Sequence, residues 1–321
     1  MDNTNTILVT GGAGFLGSHV VSRLHECGYD DILVPRSADY DLRKSKHVND
    51  LFQLPIDIVI HLAAQVGGIG ANLVNPGSFF YDNAIMGIQL MDKARERSVK
   101  KFITAGTICS YPKHTDVPFN ENDIWLGYPE ETNAPYGLAK KMLMVQGQAY
   151  RQEYDFNSIH LLIVNLYGPG DNFAVDSSHV VPALIRKCIE AKASNATKIV
   201  CWGDGSQTRE FLYAPDAAEA IVLAMEKYDD DQPINIGTGH EITIYDLVHL
   251  IAKITGFTGA IEWDTSKPNG QPRRCLDTNR AKTLLDFEAK TELEEGLTKT
   301  IEYAYDELFS IFKSENKRGH T

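Results

Sequence analysis

Residues Ile7-Leu8-Val9-Thr10-Gly11-Gly12-Ala13-Gly14-Phe15-Leu16-Gly17 decide the fold. The apolar run gives a buried strand, and the glycines that follow give a tight turn into a helix. Gly11 permits the turn, Gly14 lets backbone approach a pyrophosphate, and Gly17 lets helix and strand pack closely. The helix start, with Phe15 and Leu16 as its next residues, adds free amides and the positive end of a helix dipole, an anion site.

Working outward, short apolar runs alternate with helix-length amphipathic segments. Strands are predicted at Ile7–Thr10, Ile32–Pro35, Ile56–Leu62, Lys101–Ala105 and Ser158–Asn165, with helices at Gly14–Cys27, Lys44–Phe52, Gly77–Arg97 and Ala134–Tyr154. This alternation predicts an α/β protein with a Rossmann-type doubly wound parallel sheet. The second half is richer in turns, with helices expected at Val180–Ala193, Pro215–Tyr228, Ile244–Thr255 and Leu293–Phe312 around a smaller sheet. The expected division is 1–167 for a nucleotide-binding domain and 168–321 for a smaller α/β substrate-binding lobe, with the chain crossing between them more than once.

Composition fits a single globular chain: 321 residues, 43% hydrophobic and 23% charged. The net charge of −12 argues against nonspecific contact with nucleic acid or anionic membrane, so positive charge for a phosphate ligand must be local. Five widely spaced cysteines without a CxxC pair indicate neither a disulfide frame nor a metal site. The N-terminus lacks a basic and apolar leader pattern, and no apolar run approaches a membrane span; a cytoplasmic protein is expected.

The end of the second strand selects between dinucleotides. An acidic residue there would hold a ribose 2′-hydroxyl; Leu33-Val34-Pro35-Arg36-Ser37 instead offers a cation and a hydroxyl to a 2′-phosphate, favouring NADP(H), although Asp39 and Asp41 lie close. Asp41, Leu42, Leu62, Ala63 and Ala64 are expected along the adenosine and ribose edge. Further on, Tyr136 and Lys140 stand four apart on one helix face, with Asn133 as cap and Pro135 in the first turn. An ammonium beside a phenol lowers its pKa, making Tyr136 an acid–base candidate, with Thr107 placed to share its substrate oxygen.

These features resemble the extended short-chain dehydrogenase/reductases, and among them most closely the GDP-L-fucose synthases, over nearly the whole chain. The similarity rests on His61-Leu62-Ala63-Ala64-Gln65-Val66-Gly67-Gly68-Ile69, Thr107-Ile108-Cys109-Ser110-Tyr111-Pro112-Lys113, Asn133 to Lys140, Asn165-Leu166-Tyr167-Gly168-Pro169-Gly170-Asp171-Asn172-Phe173, and Ser178-His179-Val180-Val181-Pro182-Ala183-Leu184. The resemblance implies Thr107, Cys109, Tyr136, Lys140 and His179 as catalytic residues. Cys109 and His179 would form a base and acid pair that inverts C3 and C5 of a GDP-4-keto-6-deoxy sugar through an enolate. NADPH would then deliver hydride to C4 as Tyr136 protonates the oxygen. Tyr136, Lys140 and Asn165 would also touch the cofactor. Substrate contacts would come from Asn165, His179, Lys187, Trp202, Arg209, Lys267 and Arg273, with Arg186 a further candidate. A homodimer built through the Gly77–Arg97 and Ala134–Tyr154 helices is implied by analogy of fold.

The chain departs from that pattern at Thr107, where the family commonly has Ser, at Ile163-Val164 before Asn165, and at Gly170, where a His is common. The departures leave open a related GDP-keto-sugar, such as a heptose or colitose-type sugar, and an enzyme with only one of the two activities. A non-catalytic NADP-binding regulator is the reading of a different class.

Overall fold

The computed structural model describes residues 3–175, 177–267 and 269–318. In chain order the elements are β1 (Ile7–Thr10), α1 (Phe15–Glu26), β2 (Ile32–Leu33), α2 (Ser45–Leu51), β3 (Ile58–His61), α3 (Ile69–Val74), α4 (Pro76–Glu96), β4 (Lys101–Ala105), α5 (Ala134–Tyr154), β5 (Ser158–Ile163), β6 (Asn165–Tyr167), α6 (Val180–Ala193), β7 (Lys198–Trp202), β8 (Thr208–Tyr213), α7 (Ala214–Lys227), β9 (Ile234–Ile236), β10 (Glu241–Thr243), α8 (Ile244–Thr255), β11 (Ala260–Asp264), α9 (Asn279–Leu285) and α10 (Leu293–Arg318). Six strands form one parallel sheet in the order β2-β1-β3-β4-β5-β9.

Alternation along each strand explains the two layers of core. Ile7 and Val9 of β1, with Ile58 and Ile60 of β3, join the side packed by Val20 and Leu24 of α1 and by α7. Leu8, Val59 and Phe102 point the other way, onto α2, α4 and α5. With both faces covered, the strands are near-continuous apolar runs.

The expected strand Ser158–Asn165 is two strands. β5 completes the first sheet to Ile163, the chain steps out at Val164, and β6 pairs with β8 in a second sheet of order β10-β8-β6. The second strand is also shorter than the predicted Ile32–Pro35, which frees Pro35 and Arg36 to form a loop over the strand end. A third, two-stranded sheet pairs β7 with β11, and a separate core gathers α6, α8 and α10.

Residues beyond Gly168 contribute to both layers. α7 packs on α1, and β9 closes the edge of the first sheet against β5. Asn235 in β9 is fully buried. Its backbone N–H donates to Glu121 Oε1 (2.9 Å), its Nδ2 donates to the carbonyls of Phe119 (2.8 Å) and Asp277 (3.0 Å), and Tyr111 Oη donates to its Oδ1 (2.7 Å). One amide thus ties the returning strand to the loop after β4 and to the C-terminal arm.

Candidate active site

A single cleft of about 1320 Å³ runs from the loop after β1, across the ends of the parallel strands, into the second lobe. That exceeds the roughly 300–1,000 Å³ of a typical single-ligand pocket. It opens at the carboxyl ends of the strands, where doubly wound sheets bind ligands.

At one end the glycine turn is built by backbone proximity. Gly11 adopts φ +73°, the left-handed region that favours glycine. A Cβ on Gly17 would lie 2.0 Å from the Gly11 carbonyl oxygen, so only glycine lets α1 start this close to the turn. Gly14 caps α1 without any side-chain hydrogen bond, leaving the helix's first amides for a ligand. Phe15, Leu16, Leu42, Leu62, Ala63 and Ala64 line the same stretch.

Arg36 also lines the cleft and is exposed, with no ion-pair partner for its guanidinium among the described residues. Asp41 lines the cleft too, but its charge is already engaged. Its carboxylate is held by Arg43 (Nε to Oδ1, 2.8 Å), which pulls its pKa to about 2. An acidic residue occupied in this way is a poor acceptor for a ribose hydroxyl, whereas Arg36 is free. Replacing Arg36 by Ala is expected to raise the KM for NADPH by about 10–100-fold, the worth of a charged hydrogen bond, and to change the KM for NADH little. Steady-state kinetics with both cofactors reads this directly.

In the middle of the cleft, β4 and a short 3-10 turn at Ile108–Ser110 present Thr107 and Cys109, and the first turns of α5 present Tyr136 and Lys140. Cys109 N–H donates to Thr107 Oγ1 at 3.2 Å, which fixes the turn. Gly137 lies against this segment: a Cβ there would come 2.3 Å from the Cys109 carbonyl oxygen. His179 caps α6 without a side-chain bond, so its imidazole is not spent on the helix. It is exposed to the open cleft, yet the surrounding protein desolvates the ring and lowers its pKa. Asn165 lines the cleft as well, its Nδ2 donating to the Glu210 carbonyl at 3.0 Å.

Two local expectations fail. Asn133 caps α5 in position only: its side chain turns back to Glu130, donating Nδ2 to Oε2 at 2.7 Å. The phenol of Tyr136 is not lowered by Lys140. Burial, then the Cys109 sulfur, pushes Tyr136 above its ordinary value, and burial brings Lys140 down to about 8. Desolvation disfavours the charged form of both groups, and it outweighs a pairing for which no hydrogen bond is made among the described residues.

The second lobe supplies cations, though not all those expected. Arg209 and Lys187 line the cleft, as does Trp202, and Lys187 Nζ donates to the Val200 carbonyl at 2.8 Å. Burial, then Arg274, lowers Arg209 to about 10. Lys267 stands 5.6 Å from the Trp202 ring centroid and does not itself line the cleft. Arg273 turns outward onto Glu241, with Nε 3.0 Å from Oε1, and Arg186 is held by Glu190 and by the Phe173 carbonyl (2.9 Å). The residue that faces inward is Arg274, together with Asn269 and Gln271. Neighbours on an extended segment point to opposite sides, so of the pair Arg273-Arg274 only one can enter the cleft.

Asp171, in the stretch where Gly170 departs from the family pattern, is buried. Its Oδ1 accepts from Asn172 N–H at 2.7 Å, while Oδ2 has no partner. Burial raises its pKa from 3.8 to about 7. The folded chain then holds a proton that the unfolded chain releases, so stability falls as pH rises from about 4 to about 7 and stays lower above that. Asp171→Asn is expected to remove this slope, narrowing the gap between melting temperatures recorded at pH values on either side of the window.

A Rossmann-type sheet, a glycine turn at one end of the cleft and a Tyr/Lys pair beside a strand end define a nucleotide-dependent oxidoreductase or epimerase scaffold. The chain belongs to the NAD dependent epimerase/dehydratase family, whose model matches residues 7–237. It is 38% identical to "Probable GDP-L-fucose synthase 1" of Oryza sativa subsp. japonica, over 97% of this chain and 95% of that one. It is 39% identical to "GDP-L-fucose synthase" of Sinorhizobium fredii, over 92% and 94%. Among solved structures it is similar to a GDP-L-fucose synthetase from Naegleria fowleri bound to NADP, with a TM-score of 0.86, 30% identity and 95% of each chain covered.

Proposed function

We propose that this chain is an NADPH-dependent epimerase/reductase that converts GDP-4-keto-6-deoxymannose to GDP-L-fucose. The observation that carries the reading is one cleft lined by Thr107, Cys109, Tyr136, Lys140 and His179, with Arg36 at its dinucleotide end and Arg209 at its other end. Curated relatives that bear the GDP-L-fucose synthase name, aligned over nearly their full lengths, support the substrate.

The residues present fit NADP(H). The uncapped α1 start would hold the pyrophosphate, the 2.0 Å constraint at Gly17 keeps that turn close to the helix, and Arg36 would hold the 2′-phosphate. When bound, the cofactor supplies a hydride for the sugar's C4 carbonyl. The neighbour solved with NADP supports the same choice of dinucleotide.

Within the chain, Cys109 removes the proton from a carbon next to the ketone, and the electron pair passes into the carbonyl as an enolate. His179, whose lowered pKa makes it a ready proton donor when charged, returns a proton to the opposite face, and the carbon inverts. The same pair serves C3 and C5. Tyr136, held protonated by its burial, then gives its proton to the C4 oxygen as hydride arrives. Thr107 holds the Cys109 backbone and offers its hydroxyl to the same oxygen. Lys140 supplies positive charge beneath the site. Arg209, without a carboxylate partner among the described residues, binds the diphosphate, and Trp202 packs against the sugar nucleotide.

A homodimer is part of this reading. Phe80, Tyr81, Met142, Val145 and Tyr154 are exposed apolar residues on α4 and α5, and these helices pack side by side. A reducing, cytoplasmic setting suits a thiol base, and all five cysteines are free. Incubation with GDP-4-keto-6-deoxymannose and NADPH in deuterated water tests the whole: deuterium enters C3 and C5 and NADPH is consumed. Neither event occurring would refute it.

A further inference from the structure

Arg274 is buried to 7% exposure and points Nη1 at Cys109 Sγ, 3.5 Å away. Three contacts hold it there. Its Nε donates to Gln271 Oε1 at 2.8 Å, and Gln271 Nε2 donates in turn to the Lys113 carbonyl at 2.8 Å, four residues past Cys109. Two residues beyond Arg274, Leu276 N–H donates to buried Glu210 Oε2 at 2.7 Å, which pins the strand-like segment that carries it. Arg273, facing the other way, is locked to Glu241.

No carboxylate lies within ion-pair distance of Arg274 among the described residues; its charged neighbours in the cleft are Arg209, of the same sign, and the Glu130 carboxylate, which it helps to hold below its ordinary range without touching it. A desolvated, unpaired guanidinium is costly unless an acceptor of negative charge faces it. The acceptor within hydrogen-bond reach of its Nη1 is the Cys109 sulfur, and Glu130 acts on it only from a longer range.

We propose that Arg274 is the positioning residue for Cys109: it aims the sulfur and supplies the counter-charge when the sulfur is a thiolate. This rests on the reading of Cys109 as the base. As the C–H bond of the sugar breaks and the S–H bond forms, the sulfur becomes neutral and the electron pair moves into the enolate. The guanidinium is then left beside the sugar's new negative charge. Thr107 fixes the backbone of Cys109 and Arg274 its side chain, so the base is held from two directions. The competing role for this cation is a second diphosphate contact beside Arg209.

The test compares Arg274→Met and Arg274→Lys with the parent chain. Cys109 alkylation by iodoacetamide near neutral pH is read by mass spectrometry of its peptide, and deuterium exchange and NADPH oxidation are followed with GDP-4-keto-6-deoxymannose. Arg274→Met should slow alkylation at least about tenfold and lower kcat for exchange similarly, with KM within about twofold; Arg274→Lys should recover most of both. Unchanged alkylation, with exchange and reduction lost together through KM, overturns the proposal in favour of a diphosphate contact. Far-ultraviolet circular dichroism and NADP binding establish that each variant is folded. Should Arg274→Met not fold, Gln271→Leu loosens the same guanidinium without removing its charge: slower Cys109 alkylation supports the proposal, and an unchanged rate overturns it. Absence of exchange in the parent chain refutes the base reading instead, and the alkylation comparison still decides the contact.

Discussion

Tyr136→Phe should abolish reduction while leaving epimerisation in place. On the proposed reading the half-buried phenol at the first turn of α5 is the proton donor, and desolvation by the surrounding protein keeps it protonated at neutral pH. Removing it deprives the C4 oxygen of its proton as hydride arrives, a loss of about 10²–10⁴ in rate for a general acid. The ring remains, so the packing of α5 against the 3-10 turn is undisturbed. Deuterium exchange at the sugar carbons, measured by mass spectrometry, should stay within a few fold of the parent chain. Loss of exchange to the same degree as loss of NADPH oxidation would show that Tyr136 is not confined to the reductive step.

Cys109→Ser should give the converse. A serine hydroxyl is a far weaker base than a thiolate, so exchange should fall by about 10²–10⁴, and with it the overall conversion. Because its backbone N–H donates to Thr107 and its side chain is half-buried, the smaller hydroxyl leaves the turn intact. NADPH oxidation on the unepimerised ketone then becomes the informative readout. A variant that still reduces the ketone shows that the two steps use separate groups in one cleft. Retention of exchange by Cys109→Ser would exclude Cys109 as the base and return it to the ordinary status of a small apolar residue.

The two variants also explain which parts of the site were legible from sequence. The glycine turn, the Tyr136/Lys140 spacing and the Thr107-x-Cys109 run are local patterns, and each emerges on the cleft because a strand end or helix start fixes its direction. The same local logic placed β1, β4, α5, α6 and α8 at their observed limits. What sequence left unread depends on partners far along the chain. Arg273 and Arg274 are equivalent in composition, and only Glu241 and Gln271 decide which one faces the cleft. The pKa of Tyr136 reads as lowered from its neighbour four residues on, but solvent exclusion by the whole fold reverses the sign. The break at Val164 is likewise invisible in an unbroken apolar run, because what ends β5 there is the position of β8.

The return of β9 to the first sheet sets an order of assembly in time. β5 pairs with a strand that leaves the ribosome some seventy residues later, after β6, α6, β7, β8 and α7 have appeared. The edge of the nucleotide-binding sheet therefore stays open until most of the other lobe exists, and closing it requires long-range contacts, which slow folding. Asn235 then joins three separated segments through hydrogen bonds that have no meaning before all of them are present. The two lobes are interdependent in their making, and a fragment cut at Gly168 would retain the glycine turn, Tyr136 and Cys109 but lack the strand that completes the sheet beneath them.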